Sequence, residues 1–221
     1  MIQIRLRKRT DIHMSEEAIR ISNTAGIFLV ILPSSGETEV KTVLVLGKSE
    51  LVEQSNGTVF SKPRMWGLPK GRMKSDTDED VVTTALREFQ EETGITEISK
   101  GMINWELSVT EKECSLRPGS DEHHKTFFLV VMKKTPKIGI PVDPKIEKAQ
   151  IFSISELPIT GGTKLAKSHA RAMSALLEKC RPQLLAEGVH PMVLAMCEVG
   201  LSHKPGENKP DDEKNNFRNQ R

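Results

Sequence analysis

Glu88, Glu91 and Glu92 stand at i, i+3 and i+4 within Arg87-Glu88-Phe89-Gln90-Glu91-Glu92-Thr93-Gly94-Ile95. On a helix, at about 100° per residue, they share an arc of roughly 100°. Val81, Val82, Ala85, Leu86 and Phe89 fall on a neighbouring arc of roughly 140°, which must face a core. Carboxylates so placed repel one another, each like-charge pair costing about 0.2–0.5 kcal/mol. A divalent cation offsets that repulsion, and Mg²⁺ is held by a few carboxylates together with substrate phosphates. A solvated acidic helix face is the competing reading of three glutamates alone. Arg87, four residues before Glu91, can hold that carboxylate in place. Thr84, one turn before Glu88 on the same arc, is small enough to leave the ions room.

The helix needs a start, a stop and a loop that brings phosphate to its positive end. Asp76, Thr77 and Asp78 are the expected caps, Glu79 to Thr93 the expected body, and Gly94 the expected left-handed stop. Ahead of it runs Trp66-Gly67-Leu68-Pro69-Lys70-Gly71, whose glycines and prolines impose a special backbone path. Its N–H groups can approach phosphate oxygens at the helix N-terminus. Lys70 and Arg72 flank the loop and read either as phosphate ligands or as solvated charge. Trp66 reads equally as a stack for a base or as a lid on the core.

Around this centre, Ala25 to Leu32 and Val40 to Leu46 are β-branched apolar runs joined by a turn and read as buried strands. Glu50 to Lys62 is polar and reads as a loop. Ile103, Trp105, Leu107 and Val109 alternate with polar residues and read as a strand. A second strand is expected over Thr126 to Val131, with a hydrophilic loop, Glu111 to Lys125, between them. A last short strand lies around Ala149 to Ile154. Glu147, on its approach, is either an additional metal ligand or general base, or a surface residue among lysines. From Thr163 an amphipathic helix covers a sheet, and Val189 to Leu201 forms a further helix with Pro191 at its start. His123 and His124 read as surface residues.

The 221 residues carry 32 Lys and Arg against 30 Asp and Glu, a net charge of only +2, with 37% hydrophobic residues. That composition excludes a wholly disordered chain, a collagen-like one and a dedicated nucleic-acid binder. It hides an uneven distribution: Asp76 to Glu97 holds eight acids and the single base Arg87. The chain outside that segment is correspondingly basic, so a near-neutral total hides an acidic patch that suits a cation. Cys114, Cys180 and Cys197 form no CxxC pair, so neither a disulfide framework nor a zinc site is indicated. Ile2 to Arg9 is charged where a secretory signal is apolar, and the longest apolar run, Ile27 to Leu32, is too short for a membrane span. A cytoplasmic protein is expected. The expected organisation is an extension over 1–23, one domain over 24–201, and a disordered polar tail over 202–221.

The box resembles the Nudix hydrolases, whose signature runs from a loop glycine through a glutamate to Arg-Glu-apolar-x-Glu-Glu-x-Gly-apolar. Gly71, Glu79 and Arg87 to Ile95 carry it, although the Gly71 to Glu79 interval is two residues longer than the usual pattern. The helical wheel places Glu79 on the far side from the other three glutamates. Ala25-Gly26-Ile27, Trp66 to Gly71 and Ile151-Phe152-Ser153 with Glu156-Leu157 extend the resemblance to the flanks.

The resemblance implies an α/β/α sandwich around a mixed sheet, and hydrolysis of a diphosphate linkage with Mg²⁺ or Mn²⁺. Glu88, Glu91 and Glu92 would be metal ligands, Arg87 an orienter, and Gly71 would supply backbone room at the metal site. Trp-Gly-Leu-Pro-Lys-Gly resembles the branch of diadenosine polyphosphate, RNA 5′-pyrophosphate and diphosphoinositol polyphosphate hydrolases. An ADP-ribose hydrolase would usually carry a proline near Thr110. Dinucleoside hydrolases typically stack a tyrosine on a base, and this chain has none, so Phe127, Phe128 or Trp105 would substitute. The implied partner is a small phosphoanhydride in nucleoside or dinucleoside form, with an inositol pyrophosphate or an RNA 5′ end as alternatives and no membrane partner. A nucleotide-binding module without activity is the rival from another class, and such modules usually lose box glutamates.

Overall fold

The computed structural model describes residues 21–34, 37–53, 57–114, 122–157 and 163–202. Its main sheet is built from β1 (Ile21–Ile31), β2 (Lys41–Gly47), β5 (Trp66–Gly67), β6 (Lys70–Arg72), β7 (Ser108–Cys114), β8 (Glu122–Met132) and β9 (Ile146–Ser153). β3 (Glu50–Glu53) and β4 (Val59–Lys62) form a separate hairpin. The helices are α1 (Val81–Thr93), α2 (Lys167–Ala186) and α3 (Pro191–Ser202). The central order is β5-β2-β1-β8-β7, with β6 also on β1 and β9 also on β2. β1 and β8 run parallel over eleven registered pairs, Ile21–Glu122 to Ile31–Met132, while the other pairs are antiparallel. The sheet is therefore mixed.

Alternation along the strands assigns the two faces. Ala25, Ile27, Leu29 and Ile31 of β1, with Phe128 and Val130 of β8, pack against Val82, Ala85 and Phe89 of α1. Phe28 and Val30, with Phe127 and Leu129, pack against Met173, Leu176, Leu177 and Cys180 of α2. Helices on both faces make the expected α/β/α sandwich. Both central strands are buried on two sides, which explains their near-continuous apolar runs.

Several boundaries differ from the sequence expectations, each for a local reason. Glu50–Glu53 and Val59–Lys62 pair as strands where a loop was expected; they form a sheet apart from the main one, and Leu51 is 79% exposed. The stretch around Trp105 forms 3₁₀ turns over Lys100–Met102 and Trp105–Leu107, with Asn104 accepting from Glu106 N–H. The strand proper begins at Ser108 and runs on through Glu111 to Cys114, which the polar composition had marked as loop. α1 starts at Val81 with Asp80 as its cap, accepting from Thr83 N–H at 2.7 Å. Asp76, Thr77 and Asp78 therefore do not cap it. Gly94 does end it, at φ 66°, with its N–H on Gln90 O. Of the expected extension, Ile21–Asn23 belong to β1, and Ser202 of the expected tail ends α3; the remainder of both lies outside the described residues. Among the described residues no helix is long and apolar enough to cross a membrane.

Candidate active site

α1 lies along β1 and also packs on β6, with Glu88 against Gly71 and Glu92 accepting from Lys70 N–H. The loop between them contains a turn in which Thr77 N–H and Asp78 N–H both donate to Lys74 O. That turn absorbs the two extra residues and swings Asp78 inward. The Asp78 carboxylate accepts from Lys74 N–H at 2.8 Å, Thr84 Oγ1 at 3.1 Å, and Arg87 Nε and Nη2 at 2.8 Å each. Its side chain is fully buried, and the Arg87 guanidinium holds it far below the usual carboxylate range. Arg87 also donates to Glu88 at 2.7 Å, Glu91 at 3.0 Å and Arg72 O at 3.0 Å. Five donations use the whole fork of the guanidinium, and its pKa is raised accordingly.

Glu88 and Glu92 are both 6% exposed. Burial raises Glu88, against the pull of Arg87, and pushes Glu92 up to about 8, against a hydrogen bond from Lys70 N–H at 3.0 Å. Gly71 explains how Glu88 fits: a Cβ there would stand 2.0 Å from its carboxyl carbon. The third acid of the group is Asp143. One carboxylate oxygen each from Glu88, Glu92 and Asp143 lies within 4.8 Å of the others. The loop carrying Asp143 is stitched to the end of α1: Gly139 N–H donates to Thr93 O, and Val142 and Asp143 N–H both donate to Glu91 O. These bonds use carbonyls that a helix C-terminus leaves unpaired. Hard oxygen donors, two of them buried with their charge disfavoured, fit a divalent cation.

The expected residues divide between this group and its surroundings. Glu88, Glu92, Gly71 and Arg87 come together. Glu91 sits at the edge, held by Arg87 and, at 3.7 Å, by Lys74. Glu147 is exposed and paired with Arg64, outside the group. Glu79 is 85% exposed at its side chain, 3.6 Å from Lys100, as the wheel requires. Trp66 is a core residue, 6% exposed and edge-on to Phe152 at 4.8 Å, so it offers no face to a base. Phe127 and Phe128 are likewise buried, whereas Trp105 is 54% exposed beside Phe128. Lys70 contributes its backbone N–H, and its charge reaches Glu92. Arg72 gives its carbonyl to Arg87 and keeps an exposed side chain. His123 bonds Ser22, and His124 lies 2.9 Å from Glu122.

The sequence model of the NUDIX domain matches residues 28–176. The chain belongs to the Nudix family. Among curated relatives, the mRNA-decapping protein g5R of African swine fever virus is 32% identical over 108 residues, covering 48% of this chain and 40% of the viral protein. The chain thus spans under half the length of the curated relatives it matches. Among solved structures, a C. elegans Ap4A hydrolase aligns at 14% identity and TM-score 0.45, over 75% of this chain and 98% of that one. The NUDIX domain of Shewanella oneidensis NrtR, complexed with ADP ribose, aligns at 19% identity and TM-score 0.46, over 76% and 89%.

Three residues of this Nudix site escaped the sequence reading. Asp78 was hidden because the box spacing points to Glu79. Asp143 sits in a proline-flanked loop with no periodicity, and only the stitching to α1 brings it in. His169 of α2 accepts the Leu68 N–H at Nδ1, 2.8 Å away, so its proton resides on Nε2. It pins the Trp66–Gly67 strand, where a Cβ on Gly67 would meet the ring at 2.5 Å.

Burial, followed by the charges of Lys70 and Lys125, pushes His169 down to about 3 from 6.5. The unfolded chain takes up this proton first as pH falls, so the stabilising contribution is complete above pH 6.5 and drains between 6.5 and about 3. His169→Asn is expected to remove roughly 2 kcal/mol of the stability difference between about pH 7 and pH 4.5. Urea midpoints at the two pH values check this, and an unchanged difference would refute it.

Proposed function

We propose that this chain is a divalent-cation-dependent hydrolase that cleaves a phosphoanhydride in a nucleoside or dinucleoside polyphosphate by water attack on phosphorus. The observation that carries the reading is the convergence of Glu88, Glu92 and Asp143 within 4.8 Å on a helix end that Arg87 ties to the preceding loop. Mg²⁺ or Mn²⁺, held by these carboxylates, would neutralise charge on phosphoryl oxygens and make water acidic enough to attack. Glu88 and Glu92 are the inner ligands, Asp143 is a third ligand or the general base, and Glu91 is the outer carboxylate of the set. Arg87 fixes Glu88 and Glu91 so that the site needs no rearrangement when charge develops. Lys70, whose backbone N–H holds Glu92, carries its charge at the β6 edge to meet departing phosphate. Trp105 is an exposed ring available to a base.

A second reading, a capped or pyrophosphorylated RNA 5′ end as substrate, is favoured by the 32% identity to a viral protein named for mRNA decapping. Both readings are tested by one panel of diadenosine polyphosphates, ADP-ribose, an inositol pyrophosphate and capped RNA, run in Mg²⁺ and in Mn²⁺. Turnover of a dinucleotide ahead of RNA is the expected result. Preference for RNA would select the second reading, and silence across the panel would overturn both.

A further inference from the structure

β6 separates two surfaces of opposite charge. Successive strand residues face opposite sides, and Gly71 faces Glu88 on the α1 side, so Lys70 and Arg72 face the α2 side. The register extends that side across the sheet. Arg72 pairs with Thr24, Thr24 with Lys125, and Lys125 with Glu111. One row over, Lys70 pairs with Gly26 and Gly26 with Phe127. Registered neighbours have Cβ atoms about 4.5–5.5 Å apart on one face, so Arg72, Lys125 and Lys70 surround the small residues Thr24 and Gly26. Gly26 can be nothing larger, because a Cβ would stand 2.4 Å from Pro69 O. Glu111 is the one acid in these two rows, and His123 follows in the next, bonded to Ser22. His169 stands 5.7 Å from Phe127 and closes the strip toward α2. The charges of both Lys70 and Lys125 reach its ring, and that of Lys70 reaches Glu92 as well.

We propose that this strip of Lys70, Arg72 and Lys125 receives the phosphoryl groups beyond the scissile anhydride, making the chain selective for substrates that carry an extended polyphosphate. The inference rests on the hydrolase reading for its catalytic half. A short chain of phosphates at the carboxylate group ends at Lys70; a longer one crosses the β6 edge and meets Arg72 and Lys125. Phosphates engaged there contribute binding through charge-assisted contacts without touching the reacting atoms.

The test compares diadenosine pentaphosphate with diadenosine diphosphate by kcat/KM, and inorganic tripolyphosphate with pyrophosphate by calorimetry without divalent cation. Lys125→Ala and Lys125→Gln are expected to lower the long-to-short ratio about tenfold, chiefly through KM. Lys112→Ala is the control, because Lys112 lies one residue beyond Glu111 on the opposite face. Equal losses on long and short ligands, no loss, or the same loss from Lys112→Ala would overturn the proposal. If the wild type hydrolyses neither dinucleotide, the hydrolase reading falls, and calorimetry still decides the strip: it must bind tripolyphosphate more tightly than pyrophosphate and lose that preference in both Lys125 variants. Displacement of tripolyphosphate by single-stranded RNA at lower concentration would assign the surface to nucleic acid instead.

Discussion

Glu92→Gln is expected to lower turnover by about three orders of magnitude while the protein melts no lower than wild type without metal. A cation at the reacting phosphoryl group supplies several kcal/mol of charge stabilisation, and each factor of ten in rate is about 1.4 kcal/mol. Losing an inner ligand forfeits most of that. The fold, by contrast, gains. Glu92 is 6% exposed and its carboxylate is disfavoured by burial and by Glu88, so a neutral amide of the same shape removes an unfavourable charge and still accepts from Lys70 N–H. Single-turnover kinetics with a preferred dinucleotide and metal-free thermal melts check the two halves. Turnover within about tenfold of wild type would remove Glu92 from the ligand set, because even the loss of a partner that only orients a ligand costs about 10–100-fold.

The second large effect sets Asp78 against Glu79. Asp78→Ala leaves Arg87 with two unpaired N–H groups beside a fully buried position. Breaking a buried pair in this way costs about 3–5 kcal/mol. Turnover is expected to fall by about 10–100-fold as well, because Arg87 then no longer fixes Glu88, Glu91 and the carbonyl of Arg72. Glu79→Ala, at a side chain 85% exposed, should change stability by less than about 0.5 kcal/mol. Asp78→Asn, which keeps the shape and one acceptor, separates lost charge from lost packing: partial recovery of stability is expected, with activity recovering less. A larger penalty for Glu79→Ala than for Asp78→Ala would invert the assignment.

The contrast between these neighbours shows what was legible in the sequence. Residues whose role follows from periodicity could be read directly. The apolar runs of β1 and β8, the buried arc of α1, the glycine stop at Gly94 and the Glu88–Glu92 pair all obey local spacing. Asp78 could not be read, because a turn over Lys74–Asp78 rotates the chain by an amount that no spacing rule encodes. Asp143 depends on hydrogen bonds to a helix end some fifty residues earlier in the chain. Trp66 has the same composition around it whether it stacks on a ligand or packs on Phe152, and only the placement of β9 beside β2 decides. Glu147 was a reasonable acid in the right part of the chain, but Arg64 holds it at the surface.

The seam between α1 and the Asp143 loop is made by two residues with no chemistry of their own. A Cβ on Gly94 would lie 2.6 Å from Gly139 Cα, and one on Gly139 would lie 2.6 Å from Gly94 O. Any side chain at either position forces the loop away from the helix end and carries Asp143 with it. The two glycines thus act as one contact: a side chain on either disturbs the backbone of the other. A single methyl group at this seam is enough to separate Asp143 from Glu88 and Glu92 while every glutamate of the helix stays where it is.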